Sequence, residues 1–202
     1  MPTSLIIVDE FLQNARELRE AALQLTYPPQ DGMFAGRNSL ERIEIPDLAR
    51  QVSRIVGEPL QLMSPLHSHA KCRITLAGDT GRSQVHVDRA HWSGILYLSR
   101  PEDCQGGTEF FRHRRTNTDR WPLNPAEVAA MNMSSVEEVR REVAEKDSND
   151  PSKWEKTMQV PMRFNRLLLL RPWLWHTAGP AFGDRIENGR LVYLMFFASG
   201  RD

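Results

Sequence analysis

Residues 84–111 read QVHVDRAHWSGILYLSRPEDCQGGTEFF, and this stretch decides the fold class. It contains two short β-type segments, 93–98 and 108–111, separated by polar and turn-forming residues. Segments of the same kind recur at 60–65, 70–76, 166–170 and 190–197. The sequence therefore predicts a core built from short strands.

The N-terminal part of the chain has a different period. After a short strand at 4–8, apolar residues recur at three- and four-residue steps, which predicts a helix from Asp9 to about Leu25. Residues 47–56 predict a second helix. Because helices come first and strands follow, the order favours an α+β fold and not a βαβ repeat.

A polar stretch at about 112–159 interrupts the strands and is predicted to be a helical insertion. Asn124-Pro125-Ala126-Glu127 has the N-cap, first-turn proline and early acidic residue of a helix start. Ser135-Val136-Glu137-Glu138 has the spacing of a capping box. We expect a single domain over 1–202, with helical support at 1–58, a β core at 60–111 and 160–198, and the insertion between them.

Composition excludes several classes of protein. The 202 residues carry 26 basic and 26 acidic side chains, so the basic excess of a nucleic-acid-binding protein is absent. The apolar run at 5–8 is too short for a signal peptide, and Arg171 ends the run at 167–170, so no membrane span is expected. Two cysteines are too few for a disulfide framework, which favours a cytoplasmic location.

His86 and Asp88 are two positions apart in a β-type segment, so both side chains point to the same face of the strand. Such a pair either shares a metal ion or forms an ordinary hydrogen bond, and the spacing alone leaves both interpretations open. His67 and His69 have the same spacing, and a structural role is favoured for them because no third ligand follows closely.

Two later residues add to this pattern. His176 follows Trp173-Leu174-Trp175 at the end of the leucine-rich strand. Arg190 opens the apolar strand at 190–197, where a permanent positive charge is costly to bury unless an anion meets it.

The ordered set resembles the iron(II)/2-oxoglutarate-dependent oxygenases, in particular the prolyl-hydroxylase-like branch. The shared pattern is His-x-Asp at 86–88, an apolar strand ending Tyr97-Leu98, Gly-Gly-Thr-x-Phe at 106–110, a distal His176, and Arg190 on the last strand. This resemblance implies a double-stranded β-helix, or jelly roll.

The resemblance also implies the chemistry of the site. His86, Asp88 and His176 would bind Fe(II) as a facial triad, which leaves positions for 2-oxoglutarate and O2. Arg190 would bind the far carboxylate of 2-oxoglutarate. Because Asp88 is present, hydroxylation, or a related desaturation or ring closure, is favoured over halogenation, with succinate and CO2 released. The expected substrate is a small molecule, an amino acid or a peptide-like compound.

Some assignments stay open in the sequence. Arg185 lies nearer to His176 than Arg190 does and competes for the 2-oxoglutarate carboxylate. Two other functions compete as well: a cupin-like metal-dependent isomerase or lyase without a keto acid, and a non-catalytic sensor of 2-oxoglutarate or metal. The sequence does not indicate the oligomeric state.

Overall fold

The structure of the protein is a computed structural model that describes residues 3–30, 32–63 and 68–200. Numbered in chain order, the strands are β1 (Leu5–Val8), β2 (Arg37–Asn38), β3 (Leu60–Leu62), β4 (Cys72–Thr75), β5 (Trp92–Tyr97), β6 (Gly107–His113), β7 (Trp154–Pro161), β8 (Leu167–Leu170), β9 (His176–Thr177) and β10 (Arg190–Ser199). The helices are α1 (Ala15–Leu23), α2 (Leu48–Val56), α3 (Pro125–Ala130) and α4 (Val136–Val139), which continues as a π-helical turn at Arg140–Glu145.

Two antiparallel sheets form the centre of the fold. Within the described ranges, the larger sheet has the order β1-β8-β5-β10-β4-β2, with β3 also paired to β10, and the smaller sheet has the order β7-β6-β9. His86 extends the smaller sheet by pairing with His176 of β9. From β4 onward the chain passes repeatedly between the two sheets, which is the jelly-roll arrangement. The predicted α+β fold with a double-stranded β-helix core is confirmed.

The leucines of β8 show why this core is stable. All four are fully buried, because the strand is covered on both faces. Leu167 and Leu169 pack in the main core with α1 and α2, whereas Leu168 and Leu170 pack between the sheets against Phe110. A short continuous apolar run is the pattern expected of a strand buried on both faces.

The periodicity predicted a helix from Asp9, but helix α1 begins at Ala15. The backbone before the helix is bound to another part of the chain. The N–H of Phe11 donates to the Asn165 carbonyl (3.1 Å), and the N–H of Leu12 donates to Asn165 Oδ1 (2.9 Å). Because these amides bind the turn before β8, the helix forms only after them.

Two helices of the insertion begin where the sequence predicts them, α3 after Asn124 and α4 after Ser135. Asn124 Oδ1 accepts a hydrogen bond from the Glu127 N–H (3.0 Å), and Ser135 Oγ accepts one from the Glu138 N–H (3.1 Å).

In the part of the chain that the structure describes, no helix is long and apolar enough to cross a membrane.

The end of the insertion differs from the predicted boundary at 159, because Trp154–Pro161 form strand β7. This strand pairs along its length with β6, which itself extends to His113. Between the buried residues Trp154 and Val160, the side chains of β7 are exposed. The strand therefore lacks the apolar alternation from which a strand is predicted, and pairing with β6 determines its conformation.

Candidate metal centre

Residues 84–88 run along the edge of the smaller sheet, with alternate side chains on its two faces. Val85 and Val87 point outward into an apolar cluster under α3 and α4. His86 and Asp88 point inward and line a cavity between the sheets. The two outward valines therefore fix which side of the strand presents the imidazole and the carboxylate.

Backbone pairing brings His176 to the same place. The His86 N–H donates to the His176 carbonyl (2.9 Å), and the His176 N–H donates to the His86 carbonyl (3.0 Å). The two histidines are thus directly opposite each other in an antiparallel pair, and their ring centroids are 4.5 Å apart. The neighbouring Trp175 is fully buried in the outward cluster.

The three side chains form one group of potential ligands. Nε2 of His86 lies 3.8 Å from Oδ1 of Asp88, and Nε2 of His176 lies 3.5 Å from Oδ2. One ligand atom from each residue lies within 4.8 Å of the others, and no other such group of three occurs in the described residues. Two imidazoles and one carboxylate converging from one side are the donor set of a non-haem Fe(II) site, so the residues fit this metal.

Hydrogen bonds orient each ligand. Nδ1 of His86 lies 2.7 Å from the Gln84 carbonyl, and Nδ1 of His176 lies 2.7 Å from the Leu174 carbonyl. Because a carbonyl only accepts, each Nδ1 carries the proton, and Nε2 of the neutral ring has a free lone pair. Ser93 Oγ donates to Oδ2 of Asp88 (3.0 Å) and holds the carboxylate in place.

The electrostatics favour the ligand forms of His86 and Asp88. Burial lowers the pKa of His86 to about 4, so the ring is neutral at neutral pH. Burial would raise the pKa of Asp88, but the hydrogen bond and charge of His176 and the charge of His86 hold it at about 2. Burial acts to lower the pKa of His176, and the bond to Asp88 outweighs this effect and raises it.

Arg190 lines the same cavity, which has a volume of about 550 Å³. Its side chain is almost fully buried, and neither Nε nor Nη2 has a hydrogen-bond partner among the described residues. The guanidinium carbon lies 5.9 Å from the centre of the Tyr97 ring. Burial of an unpaired guanidinium lowers the free energy of unfolding, so the position suits an anionic ligand that would pair with it.

Arg185, the competing residue, lies outside this cavity. Its side chain is 62 % exposed, and its guanidinium nitrogens lie 3.3 Å from Asp184 and 3.8 Å from Glu187. The geometry therefore brings Arg190 to the three potential ligands and leaves Arg185 at the surface, paired with acidic side chains.

Two further residues of the cavity were not predicted from the sequence. Arg73 lies between the buried Cys72 and Ile74 on β4 and points to the opposite face, into the cavity. Phe34 stacks at a tilt on His86, with ring centroids 4.0 Å apart. Arg73 could have been identified from the sequence, because it is a charged residue inside a short apolar strand. Phe34 lies in an irregular loop, where no pattern identifies it.

The insertion binds the backbone of the extended segment 84–88 on the side away from the cavity. Ser148 Oγ accepts a hydrogen bond from the Gln84 N–H (3.1 Å) and donates to the Val85 carbonyl (2.9 Å). The Val85 N–H donates to the Ser148 carbonyl (3.3 Å). Ser148 is buried, and it positions the strand that carries His86 and Asp88.

His69 of the second histidine pair belongs to no comparable group of ligands within the described residues. His67 lies outside the described residues. His69 is buried, and its Nδ1 accepts a hydrogen bond from the Phe196 N–H (2.9 Å). This bond gives His69 a structural role in joining its loop to β10.

Solved structures similar to this chain share its fold. HygX from Streptomyces hygroscopicus, bound to nickel, 2-oxoglutarate and hygromycin B, is 13 % identical, with a TM-score of 0.57 over 98 % of this chain and 84 % of that one. The non-haem α-ketoglutarate-dependent epimerase SnoN from nogalamycin biosynthesis is 12 % identical, with a TM-score of 0.55 over 97 % and 78 %. The corresponding carbocyclase SnoK is 11 % identical, with a TM-score of 0.52 over 98 % and 87 %. At these identities the similarity shows a common fold.

The comparison of sequences gives the family. No curated protein matches the chain. A family match extends over residues 2–197, nearly the whole sequence, so the chain belongs to the family of unknown function DUF6445.

Proposed function

We propose that the protein is a non-haem iron(II), 2-oxoglutarate-dependent oxygenase that acts on a small-molecule substrate. The observation that carries this proposal is the presence, in one cavity, of the His86, Asp88 and His176 group and the unpaired guanidinium of Arg190. The similarity in fold to α-ketoglutarate-dependent enzymes supports it.

The three ligands would hold the ferrous ion from one side. His86 and His176 present Nε2, and Asp88 presents a carboxylate oxygen, while the opposite side opens into the cavity. When bound, the ferrous ion supplies the redox chemistry that couples decarboxylation of 2-oxoglutarate to oxidation of the substrate by O2. Ser93 fixes the carboxylate, and the carbonyls of Gln84 and Leu174 fix the imidazoles.

Arg190 would bind the far carboxylate of 2-oxoglutarate. A guanidinium donates two parallel hydrogen bonds to a carboxylate, and the buried Nε and Nη2 are suitably free of other partners among the described residues. The Tyr97 ring lies beside the guanidinium, and the Tyr97 hydroxyl lies 2.7 Å from Thr108 Oγ1, which fixes the ring. This contact would help to hold the guanidinium in position for the co-substrate.

Hydroxylation is proposed ahead of halogenation, because Asp88 would fill the position that a halide needs, and desaturation and ring closure stay open. The similar structures include an epimerase and a carbocyclase, so an analysis of the product must distinguish hydroxylation from epimerisation and ring closure. Membership of the prolyl-hydroxylase-like branch and a cytoplasmic location stay predictions from the sequence.

Two rival functions make different demands on Arg190. A cupin-like isomerase or lyase needs no keto acid, so the unpaired guanidinium would have no ligand in its reaction cycle. A sensor would bind 2-oxoglutarate without consuming it. The buried, unpaired Arg190 therefore favours the oxygenase or the sensor, and turnover separates these two.

Succinate production tests the proposal. The purified protein is incubated in air with Fe(II), ascorbate and 2-oxoglutarate, and succinate is measured. The expected result is iron-dependent succinate formation above background, lost in Asp88→Ala and kept in Arg185→Met, which changes an exposed arginine outside the cavity. Absence of succinate in the parent protein, or equal formation in Asp88→Ala, would contradict it.

A further inference from the structure

We propose that Arg73 binds a carboxylate group of the substrate that is oxidised, so that this substrate is a small carboxylic acid. The inference rests on the proposed function and extends it to the class of substrate. Arg73 is a second cation in the cavity, distinct from the arginine assigned to 2-oxoglutarate.

The register of β4 and β10 places the two arginines next to each other. Arg73 lies directly opposite Val192, and Arg190 lies opposite Thr75. Arg73 and Arg190 are therefore diagonal neighbours on the same face of an antiparallel pair, within reach of long side chains. Both line the cavity, whereas Cys72 and Ile74 pack in the core on the other face of β4.

Arg73 is held in place by a backbone carbonyl and an aromatic ring, not by a carboxylate. Its Nη2 donates to the Phe34 carbonyl (3.1 Å), and its guanidinium carbon lies 5.8 Å from the centre of the Phe34 ring. Its buried Nε has no hydrogen-bond partner in the described part of the chain. Since Phe34 also stacks on His86, its contact with Arg73 holds the guanidinium on the same side of the cavity as His86.

Among the described residues, no carboxylate forms an ion pair with Arg73, and the carboxylate whose charge acts on it is that of Asp88. Burial and the positive charge of Arg190 lower the pKa of Arg73 to about 10, against the opposing charge of Asp88. Of the acidic groups that line the cavity, Asp88 is a proposed metal ligand and Glu109 pairs with Lys156 (3.1 Å). Asp79 Oδ2 accepts from the Leu76 N–H (2.9 Å).

Binding of the co-substrate does not neutralise Arg73. The two carboxylates of 2-oxoglutarate would be used by the metal and by Arg190. The metal, Asp88, 2-oxoglutarate and the two arginines together sum to one positive charge, leaving out Asp79, whose carboxylate binds the Leu76 N–H of its own turn. A monoanion such as a carboxylate beside Arg73 balances that charge. The wall beside the arginines is apolar, formed by Ile95, Val192, Leu194 and Phe196. The site therefore suits a small acid with an apolar body.

A first experiment separates the roles of the two arginines. Binding of 2-oxoglutarate to the Mn(II)-loaded protein is measured by calorimetry for the parent, Arg73→Met and Arg190→Met. The expected affinity falls by about tenfold or more in Arg190→Met and changes by less than about threefold in Arg73→Met. If Arg73→Met loses 2-oxoglutarate instead, Arg73 is the co-substrate residue and the inference is wrong.

A second experiment tests the anion site with a matched pair of probes, hexanoate and hexanamide. They have similar size and differ in charge, and their binding is measured on protein loaded with Mn(II) and 2-oxoglutarate. We expect hexanoate to bind about tenfold or more tightly than hexanamide to the parent and to Arg54→Met, an exposed arginine control. The preference should disappear in Arg73→Met.

Three results would overturn the inference: no preference for hexanoate in the parent, an unchanged preference in Arg73→Met, or tighter binding of hexyl phosphate than of hexanoate. The same probes are used on metal-free Arg190→Met protein, in which the other unpaired arginine of the cavity is removed, and the remaining preference for hexanoate should depend on Arg73. If the parent binds neither metal nor 2-oxoglutarate, the proposed function fails, while the metal-free measurement still tests the anion site.

A thermal unfolding curve distinguishes this role from a structural one. If Arg73 is kept for binding, Arg73→Met should leave the melting temperature of the ligand-free protein nearly unchanged. Removal of a buried charge without an ion pair then offsets the loss of the hydrogen bond to the Phe34 carbonyl. A marked fall in the melting temperature of Arg73→Met, with the hexanoate preference retained, would assign the residue to the fold.

Discussion

Arg190 and Arg19 are both buried arginines, and their surroundings explain their different roles. Arg19 donates from Nη1 to the Leu98 carbonyl (2.8 Å) and from Nη2 to the Glu187 carbonyl (2.7 Å). In Arg190, Nε and Nη2 donate to no group in the described residues. Arg19 thus stabilises the fold, whereas Arg190 is buried at a cost that the proposed carboxylate of 2-oxoglutarate would offset.

This contrast predicts opposite effects of the same substitution. Arg190→Met should leave the free energy of unfolding of the ligand-free protein unchanged or raise it by up to about 2 kcal/mol. Arg19→Met should lower it by about 1–3 kcal/mol, because two hydrogen-bonded carbonyls lose their donor. Urea denaturation without metal or 2-oxoglutarate measures both. A loss in Arg190→Met as large as that in Arg19→Met would mean that Arg190 is structural.

At this scale the sequence predicts part of the site. His86, Asp88, His176 and Arg190 were predicted by an ordered motif, and the structure brings them to one cavity. Arg73 carries the same signal as Arg190, a charge within an apolar strand, but no motif accompanies it.

At the scale of the elements, the insertion holds the extended segment 84–88 in place through hydrogen bonds. The Ser148 hydroxyl accepts a hydrogen bond from the Gln84 N–H and donates one to the Val85 carbonyl. It also lies 2.8 Å from the hydroxyl of Ser83. Asn149 adds a hydrogen bond from Nδ2 to the Arg82 carbonyl (2.7 Å). The insertion is therefore a support for the ligand strand.

Ser148→Ala should weaken metal binding without removing a ligand. The substitution leaves the Gln84 N–H and the Val85 carbonyl short of a partner, at a cost of about 1–3 kcal/mol in the free energy of unfolding. Metal affinity should fall by about tenfold, since the strand that orients His86 and Asp88 loosens. Mn(II) calorimetry and urea denaturation measure both effects. Ser152→Ala, the same change at an exposed serine of the insertion, is the control.

A change in stability with unaltered Mn(II) affinity would show that Ser148 only supports the fold.

The elements also differ in how far the sequence predicts them. The leucine run of β8 and the cap at Asn124 are local patterns, and both were predicted correctly. The start of α1 and strand β7 were not, because each is decided by a distant partner: Asn165 for the backbone before α1, and β6 for β7. Hydrogen bonds between such distant segments leave no periodicity in either one.

For the molecule as a whole, buried histidines and paired carboxylates determine the response to acid. Burial lowers the pKa of His69 and, against the opposing effect of Asp147, that of His113. The hydrogen bond from Arg166 lowers the pKa of Asp9, and the backbone N–H of Thr26 lowers that of Glu41. In each case the folded state binds fewer protons than the unfolded state, so acid favours unfolding.

The metal-free melting temperature should therefore fall as the pH drops below about 6.5, first through the histidines and then, below about 4.5, through the carboxylates. Calorimetry over this range in the presence of a chelator checks the expectation. In His113→Gln the decline above about pH 5 should be smaller, because one neutral buried histidine is removed. A melting temperature that rises between neutral pH and pH 5 would contradict this account.

Iron binding tests the central claim most directly, because the account requires His86, Asp88 and His176 to share one ion. The measurement is the Fe(II) content per chain after anaerobic equilibration and removal of free metal. We predict about one ion per chain in the parent and in His91→Ala, a histidine outside the ligand group, and a large loss in His176→Ala and Asp88→Ala. Iron retained at the parent level in both ligand variants would contradict the account.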